Sequence, residues 1–199
     1  MLDIQYRFPQ ELAEFPSREF YEGRLRSGLT DSSAVLSVLT ETRFPWPMHS
    51  ERNIPIPTVF IPCSTEEDMG GLSKSNIGQV EVVHAAIELL TPSELSITVL
   101  SPYRKQIDEL KHKLSSHITC ATIDSFQGRE SDVIIFSSVR SNAERDIGFV
   151  DDARRLNVMW TRARKALIIV GDRATMESNA LWKRALSACT EVILEMEAN

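Results

Sequence analysis

The sequence predicts an α/β fold, a mostly parallel sheet covered by helices on both faces, and three observations carry that reading. Beyond Thr91-Pro92-Ser93, segments of strand character alternate with segments of helical period, which is the grammar of βαβ units. The strand segments, Val133–Val139 above all, are apolar at consecutive positions, as strands covered on both faces are. A chain of 199 residues with 42% hydrophobic content can bury one good core, so a single domain over 1–199 is expected.

Residues up to about Gly28 are polar helix formers interrupted by Pro9, Pro16 and Gly23, which predicts brief helical turns. Asp31–Leu39, small and apolar with serines, reads as either a strand or a helix. Pro45, Pro47, Pro55, Pro57 and Pro62 make 44–62 a connector that ends in a strand at Thr58–Ile61. Glu66–Asn76 reads as a polar loop. The chain thus divides into an opening region (1–30), a proline-rich connector and loop (44–76), and an α/β core (77–199). In Val80–Leu90 the residues Val83, Ala86, Ile87 and Leu90 fall on one helical face. A strand at Ser96–Leu100, a helix at Tyr103–Leu114, and strands at His117–Ile123, Val133–Val139 and Leu167–Val170 follow. A helix at Ala180–Cys189 and a closing strand at Val192–Leu194 complete the chain. Such sheets present ligands at the carboxyl ends of their strands.

Composition narrows the function classes. The net charge of −6 argues against a generally basic nucleic-acid coat, so any such contact must come from local patches. Cys63, Cys120 and Cys189 show no paired or zinc-type spacing and read as reduced thiols of an intracellular protein. No signal peptide is evident, and no apolar stretch approaches the ~20 residues that span a membrane. The chain enters patterned sequence at once from Met1, which suggests a piece of a longer protein.

Two stretches carry chemistry. Arg154, Arg155, Arg162 and Arg164 precede an apolar run, and Arg173 lies just beyond its end. Arginine's planar fork grips phosphate oxygens and keeps its proton, so a phosphate site stands beside the alternative of a solvated basic face. The segment Thr122-Ile123-Asp124-Ser125-Phe126-Gln127-Gly128-Arg129-Glu130 joins two strands. Its glycine would let backbone approach an anion, whereas Asp124 and Ser125 could equally cap a short helix.

Four blocks together resemble the second RecA-like motor lobe of superfamily 1 helicases, in particular the up-frameshift (nonsense-mediated decay) group. They are Gln5-Tyr6-Arg7 with Glu14-Phe15-Pro16-Ser17 and Phe20-Tyr21-Glu22-Gly23, then Ser101-Pro102-Tyr103-Arg104, Thr122–Glu130, and Arg154–Arg164 with Ile168-Ile169-Val170-Gly171. The resemblance implies a three-layer RecA-like α/β fold. It implies that Tyr6, with Gln5, meets the adenine, that Arg7 reaches the γ-phosphate, and that Glu130 accepts from the ribose. Gln127 and Gly128 would lie near the γ-phosphate, Arg162 would be the arginine finger, and Arg164 would brace it. Ser101, Arg104 and Thr122 would touch the nucleic-acid backbone. The implied cofactor is ATP with Mg²⁺, and the implied partners are an N-terminal RecA-like lobe and single-stranded RNA or DNA, in nucleus or cytoplasm, with 5′-to-3′ movement.

Three positions depart from the family pattern. Phe8-Pro9 stands for Met-His, Gln79 for a glutamate, and Met159-Trp160 for a small-aliphatic pair. No lysine follows a glycine, so the phosphate-binding P-loop is not in this chain; it is expected to hold half of an ATP site, with the metal ligands on the other lobe. Those departures and the acidic charge also support a second reading, a non-catalytic scaffold or nucleic-acid-binding module.

Overall fold

Runs of consecutive apolar residues pair side by side at the centre of the sheet, because a strand apolar on both faces must be covered on both. The computed structural model describes residues 3–195 other than 69, 72 and 92; Met1, Leu2 and Pro92, named above, lie outside the described residues. The strands are β3 (Thr58–Pro62), β4 (Ile97–Ser101), β5 (Thr119–Thr122), β6 (Ser131–Ser137), β7 (Ala163–Gly171) and β8 (Thr190–Glu191), in the spatial order β5-β4-β6-β7-β3-β8. Every pairing is parallel. A small parallel pair, β1 (Ile4–Gln5) with β2 (Arg26–Ser27), stands apart.

Alternate residues of the strands feed two cores. Val59, Val99, Ile135 and Ile168 face one side, which is covered by α3 (Ile77–Leu90) and α4 (Arg104–Lys113). Phe60, Leu100, Ile134 and Ile169 face the other, under α1 (Gln10–Phe20), α5 (Ala153–Trp160) and α7 (Ala180–Ser187). These are the three layers that the resemblance implies. Ser32–Ser37 is helical (α2), which resolves the open reading of 31–39, and Arg173–Met176 forms one further short turn (α6). The last strand lies at 190–191 rather than at 192–194, although the Val192 amide still donates to the Phe60 carbonyl at 2.9 Å. All three cysteines are free thiols, and among the described residues no helix is long and apolar enough to cross a membrane.

Within the opening region, Gln10–Phe20 forms one continuous helix where brief turns were expected. Pro16 lies inside α1, has no N–H, and so leaves the Leu12 carbonyl four residues earlier without its helical donor. The indole of Trp160 supplies one: Nε1 donates to that carbonyl at 3.1 Å. The tryptophan is 1% exposed and packs on Phe15 with ring centroids 4.3 Å apart. Position 160 therefore serves the α1–α5 contact. Trp160→Phe should cost about 1–3 kcal/mol in urea unfolding, the cost of stranding a buried acceptor. Adding Pro16→Ala restores a donor and should shrink that cost; an equal cost in both backgrounds would show that only packing was lost.

Candidate functional site

The parallel sheet has an amino rim and a carboxyl rim, and Arg7, Arg162 and Arg164 gather on the amino rim, whereas Arg154 and Arg155 open α5 and Arg173 follows the end of β7. The reason is in the connections. Residues 123–130 carry the chain from the end of β5 to the start of β6, and α5 carries it to the start of β7. Glu130 and Arg162 each stand immediately before a strand and so flank its first residue.

Gln5, Tyr6 and Arg7 join them from the opening region. The Gln5 amide oxygen accepts the N–H groups of Arg7 (2.7 Å) and Phe8 (3.0 Å), and its nitrogen donates to the Phe8 carbonyl (2.6 Å). Gln5 thereby closes a tight turn that projects its two neighbours. Tyr6 is 72% exposed, so it is not core. A Cβ on Gly28 would fall 2.3 Å from the Tyr6 ring; only glycine lets the ring lie flat on that backbone with its other face open. Arg7 reaches across the domain, with Nε 2.5 Å from a Glu130 carboxylate oxygen and Nη1 donating to the Thr161 carbonyl at 3.0 Å.

Arg162 lies beside this pair. It donates from Nη1 to the Arg129 carbonyl at 3.3 Å, while its buried Nε has no partner among the described residues. Burial, and then the Arg7 charge, push its pKa down against the pull of Glu130, yet a guanidinium stays protonated. Arg164 approaches Glu130 at 3.8 Å and Asp132 at 3.1 Å, and its Nε is likewise buried without a partner. Lys165 also reaches Asp132, at 3.2 Å. Two successive residues can share one carboxylate because β7 carries a bulge against β6 between the Ser131 and Val133 pairings. Four cations, Arg7, Arg162, Arg164 and Lys165, thus face two carboxylates, a local positive excess in an acidic chain.

The remaining expected residues are spread between the rims. Gln127 is exposed with no side-chain hydrogen bond, and Gly128 holds φ +82°, a left-handed turn before Glu130. Thr122, at the carboxyl end of β5, accepts the Ser125 N–H and donates its hydroxyl proton to Ser125 Oγ at 2.9 Å. Arg104 is exposed at the start of α4, and with Lys111, Thr122, Ser125 and Arg129 it lines a shallow groove of about 390 Å³. Ser101 is fully buried beneath this surface, where its hydroxyl accepts the Tyr103 N–H at 3.4 Å. Arg155 forms a two-pronged pair with Asp124 (3.2 and 3.0 Å), whereas Arg154 is exposed and has no acidic partner among the described residues.

A family model described as an AAA domain matches residues 1–174. The chain belongs to that family. Among its relatives are the "Regulator of nonsense transcripts 1 homolog" of Drosophila melanogaster, 35% identical over 94% of this chain, and the "ATP-dependent helicase NAM7" of Saccharomyces cerevisiae, 33% over 93%. A third, the yeast "DNA polymerase alpha-associated DNA helicase A", is 37% identical over 86%. The chain spans 16%, 20% and 27% of those proteins, respectively. Among solved structures, the C-terminal domain of a possible DNA helicase from Lactobacillus plantarum WCFS1 shares the fold, with a TM-score of 0.54 at 14% identity over 94% of this chain and 98% of that one. The chain is a C-terminal domain of the up-frameshift-like superfamily 1 helicase group.

As a member of this AAA-domain family, the chain departs from the pattern in its core. Gln79 is fully buried and its oxygen accepts the Ser137 hydroxyl (2.9 Å) and the Val139 N–H (2.8 Å), bonds that a carboxylate would also accept. Trp160 faces α1, as described above. Asp132 and Arg140 were not singled out from sequence; a lone carboxylate opening the apolar run of β6, opposite Arg164-Lys165, was the available signal for the first. Asp132 accepts the Ser96 N–H (3.0 Å) and hydroxyl (2.8 Å). Burial alone would raise its carboxyl, but the Ser96 bonds and the Lys165 pair outweigh it and hold the pKa below the usual value. A depressed carboxylate contributes stability that is complete above its unfolded pKa, ~3.9, and is lost as pH falls through the folded value. Urea midpoints of Asp132→Asn should therefore be lower at neutral pH and fall less steeply below about pH 4 than those of the wild type. Parallel profiles would remove Asp132 from the acid response.

Proposed function

We propose that this chain is the second motor lobe of an ATP-driven helicase and closes half of an ATP site contributed jointly with a P-loop lobe. The observation that carries the reading is the meeting of Arg7 and Arg162 around Glu130, with a positive excess and unpartnered guanidinium N–H groups on the amino rim. Such a rim fits a polyanion. ATP, when bound, would supply the phosphoryl group whose transfer drives movement. Tyr6 presents a flat open face to the base, and Glu130 presents its carboxylate to ribose hydroxyls. Gln127 and the Gly128 backbone lie on the turn toward the γ-phosphate. Arg7 and Arg162 hold charge on the terminal phosphoryl oxygens, with Arg164 anchored on Asp132 behind them. Among the described residues no cluster of His, Cys, Asp or Glu is arranged for a metal, and the reading assigns the Mg²⁺ ligands to the first lobe.

On the carboxyl rim, Arg104, Thr122 and the groove between them form part of a track for single-stranded RNA or DNA. Contacts of this kind address the backbone, so binding is sequence-tolerant and salt-dependent. The named activities of the relatives support the helicase reading. Two features that would favour a non-catalytic module, Gln79 and Trp160, sit in the core rather than in the cleft.

Arg162→Ala in the two-lobed protein should lower ATP turnover by about 10³-fold or more, the scale of an arginine finger, while strand affinity stays within a few-fold. Near-normal turnover would remove Arg162 from that role. This chain alone should show no turnover with or without single-stranded RNA; clear strand-stimulated turnover would overturn the half-site reading.

A further inference from the structure

The carboxyl rim displays an aromatic ring that none of the roles above employs. Phe149 is 60% exposed, whereas each of the other seven phenylalanines is buried or half-buried. An exposed ring forgoes the stabilisation that burial would give, and here the exposure is built in. The Tyr103 hydroxyl accepts the Phe149 N–H at 3.3 Å, and the two rings lie 5.7 Å apart between centroids. Beneath them Arg140, buried at 7% exposure, donates to the Tyr103 oxygen (3.3 Å), Glu67 (2.8 Å) and Asp146 (2.9 Å). Asp146 in turn accepts the Gly148 N–H at 2.9 Å. Gly148 holds φ +56°, and a Cβ there would sit 1.9 Å from the Arg140 guanidinium. The turn is locked from below, and the ring is what it presents.

Its surroundings select the occupant. Tyr103, on which the ring leans, directly precedes Arg104, a residue that lines the groove at the carboxyl ends of β4 and β5. Arg104, Arg129 and Arg154 are exposed on this part of the chain with no acidic partner among the described residues. Between residues 100 and 165 Phe149 is the one exposed large hydrophobic among the described residues. A single exposed ring, with Asp151 and Asp152 exposed just after it in sequence, does not match the contiguous apolar patch of a protein-docking surface. It does match the combination that holds single strands, an aromatic platform beside a positive groove. We propose that Phe149 is a stacking shelf for one base of the strand, a contact that rests on the reading of the carboxyl rim as the strand track.

The test is a low-salt anisotropy titration of this chain with a labelled oligouridine and with an abasic strand of the same length. Phe149→Ala should weaken oligouridine binding by about 5- to 150-fold, the range for one stacked base, leave abasic binding unchanged, and leave the salt slope unaltered because no phosphate contact is removed. Phe149→Tyr should retain wild-type affinity. Arg104→Ala serves as the control for the track itself and should weaken both strands while reducing the slope. If Arg104→Ala weakens binding and Phe149→Ala does not, the shelf is refuted and the track survives. If neither variant changes binding, the track reading fails and the shelf with it. An equal loss on both strands for Phe149→Ala would assign the ring to the loop's shape, and unchanged strand binding with altered self-association would assign it to a second copy. Thermal unfolding of each variant at the wild-type midpoint certifies the comparison.

Discussion

Everything here depends on the requirement that a parallel sheet imposes on its connections. Each strand starts on the same rim, so after each strand the chain must travel back before it can begin the next. In most of the fold a helix makes that journey. Between β5 and β6 only residues 123–130 do. One short segment therefore touches both rims: Thr122 at the groove, Glu130 among the arginines. That segment is braced near its start by the Arg155–Asp124 pair from α5.

The carboxyl rim is held in shape by polar groups beneath it. Val139, two residues past the end of β6, sits at φ +71°, a conformation that costs a β-branched residue about 1–3 kcal/mol. Its N–H is bound by Gln79 and its carbonyl by the Asn76 side chain at 3.0 Å, while Asn76 also caps α3. The next residue is Arg140. The strained turn aims that guanidinium under the 146–149 loop, so the start of α3 and the exposed loop form one mechanical unit.

The apolar runs made the sheet legible, and β3, β4 and β6 lie within two residues of their expected bounds at either end. Period 3.6 did the same for α3. Other elements were hidden by residues with two roles. Pro16 argued against a continuous α1 because its remedy, an indole far along the chain, is a tertiary fact. In α5, Leu156, Met159 and Trp160 keep helical spacing, but the arginines on either side of them, Arg154-Arg155 and Arg162, drew the reading toward ligand chemistry. The same cations concealed the first residues of β7 and its bulge. Of the site, residue types were readable from sequence and their sides of the sheet were not: Ser101 lies under the surface it was expected to line, and Arg162 and Arg164 lie on the amino rim, apart from Arg154 and Arg155 at the start of α5, because rim and depth follow from register rather than from local pattern.

Glu130 has a consequence of another kind. Without a ligand it occupies Arg7 and draws on Arg164, so the rim already contains an anion covalently tethered in place. A chloride or a carboxylate that displaced it would exchange one unit of negative charge for another and gain little. A polyphosphate brings several charges at once and can satisfy the excess that Glu130 and Asp132 leave uncovered. On the proposed reading of this rim, the tethered carboxylate would act as a valence filter, favouring a polyphosphate over a single small anion.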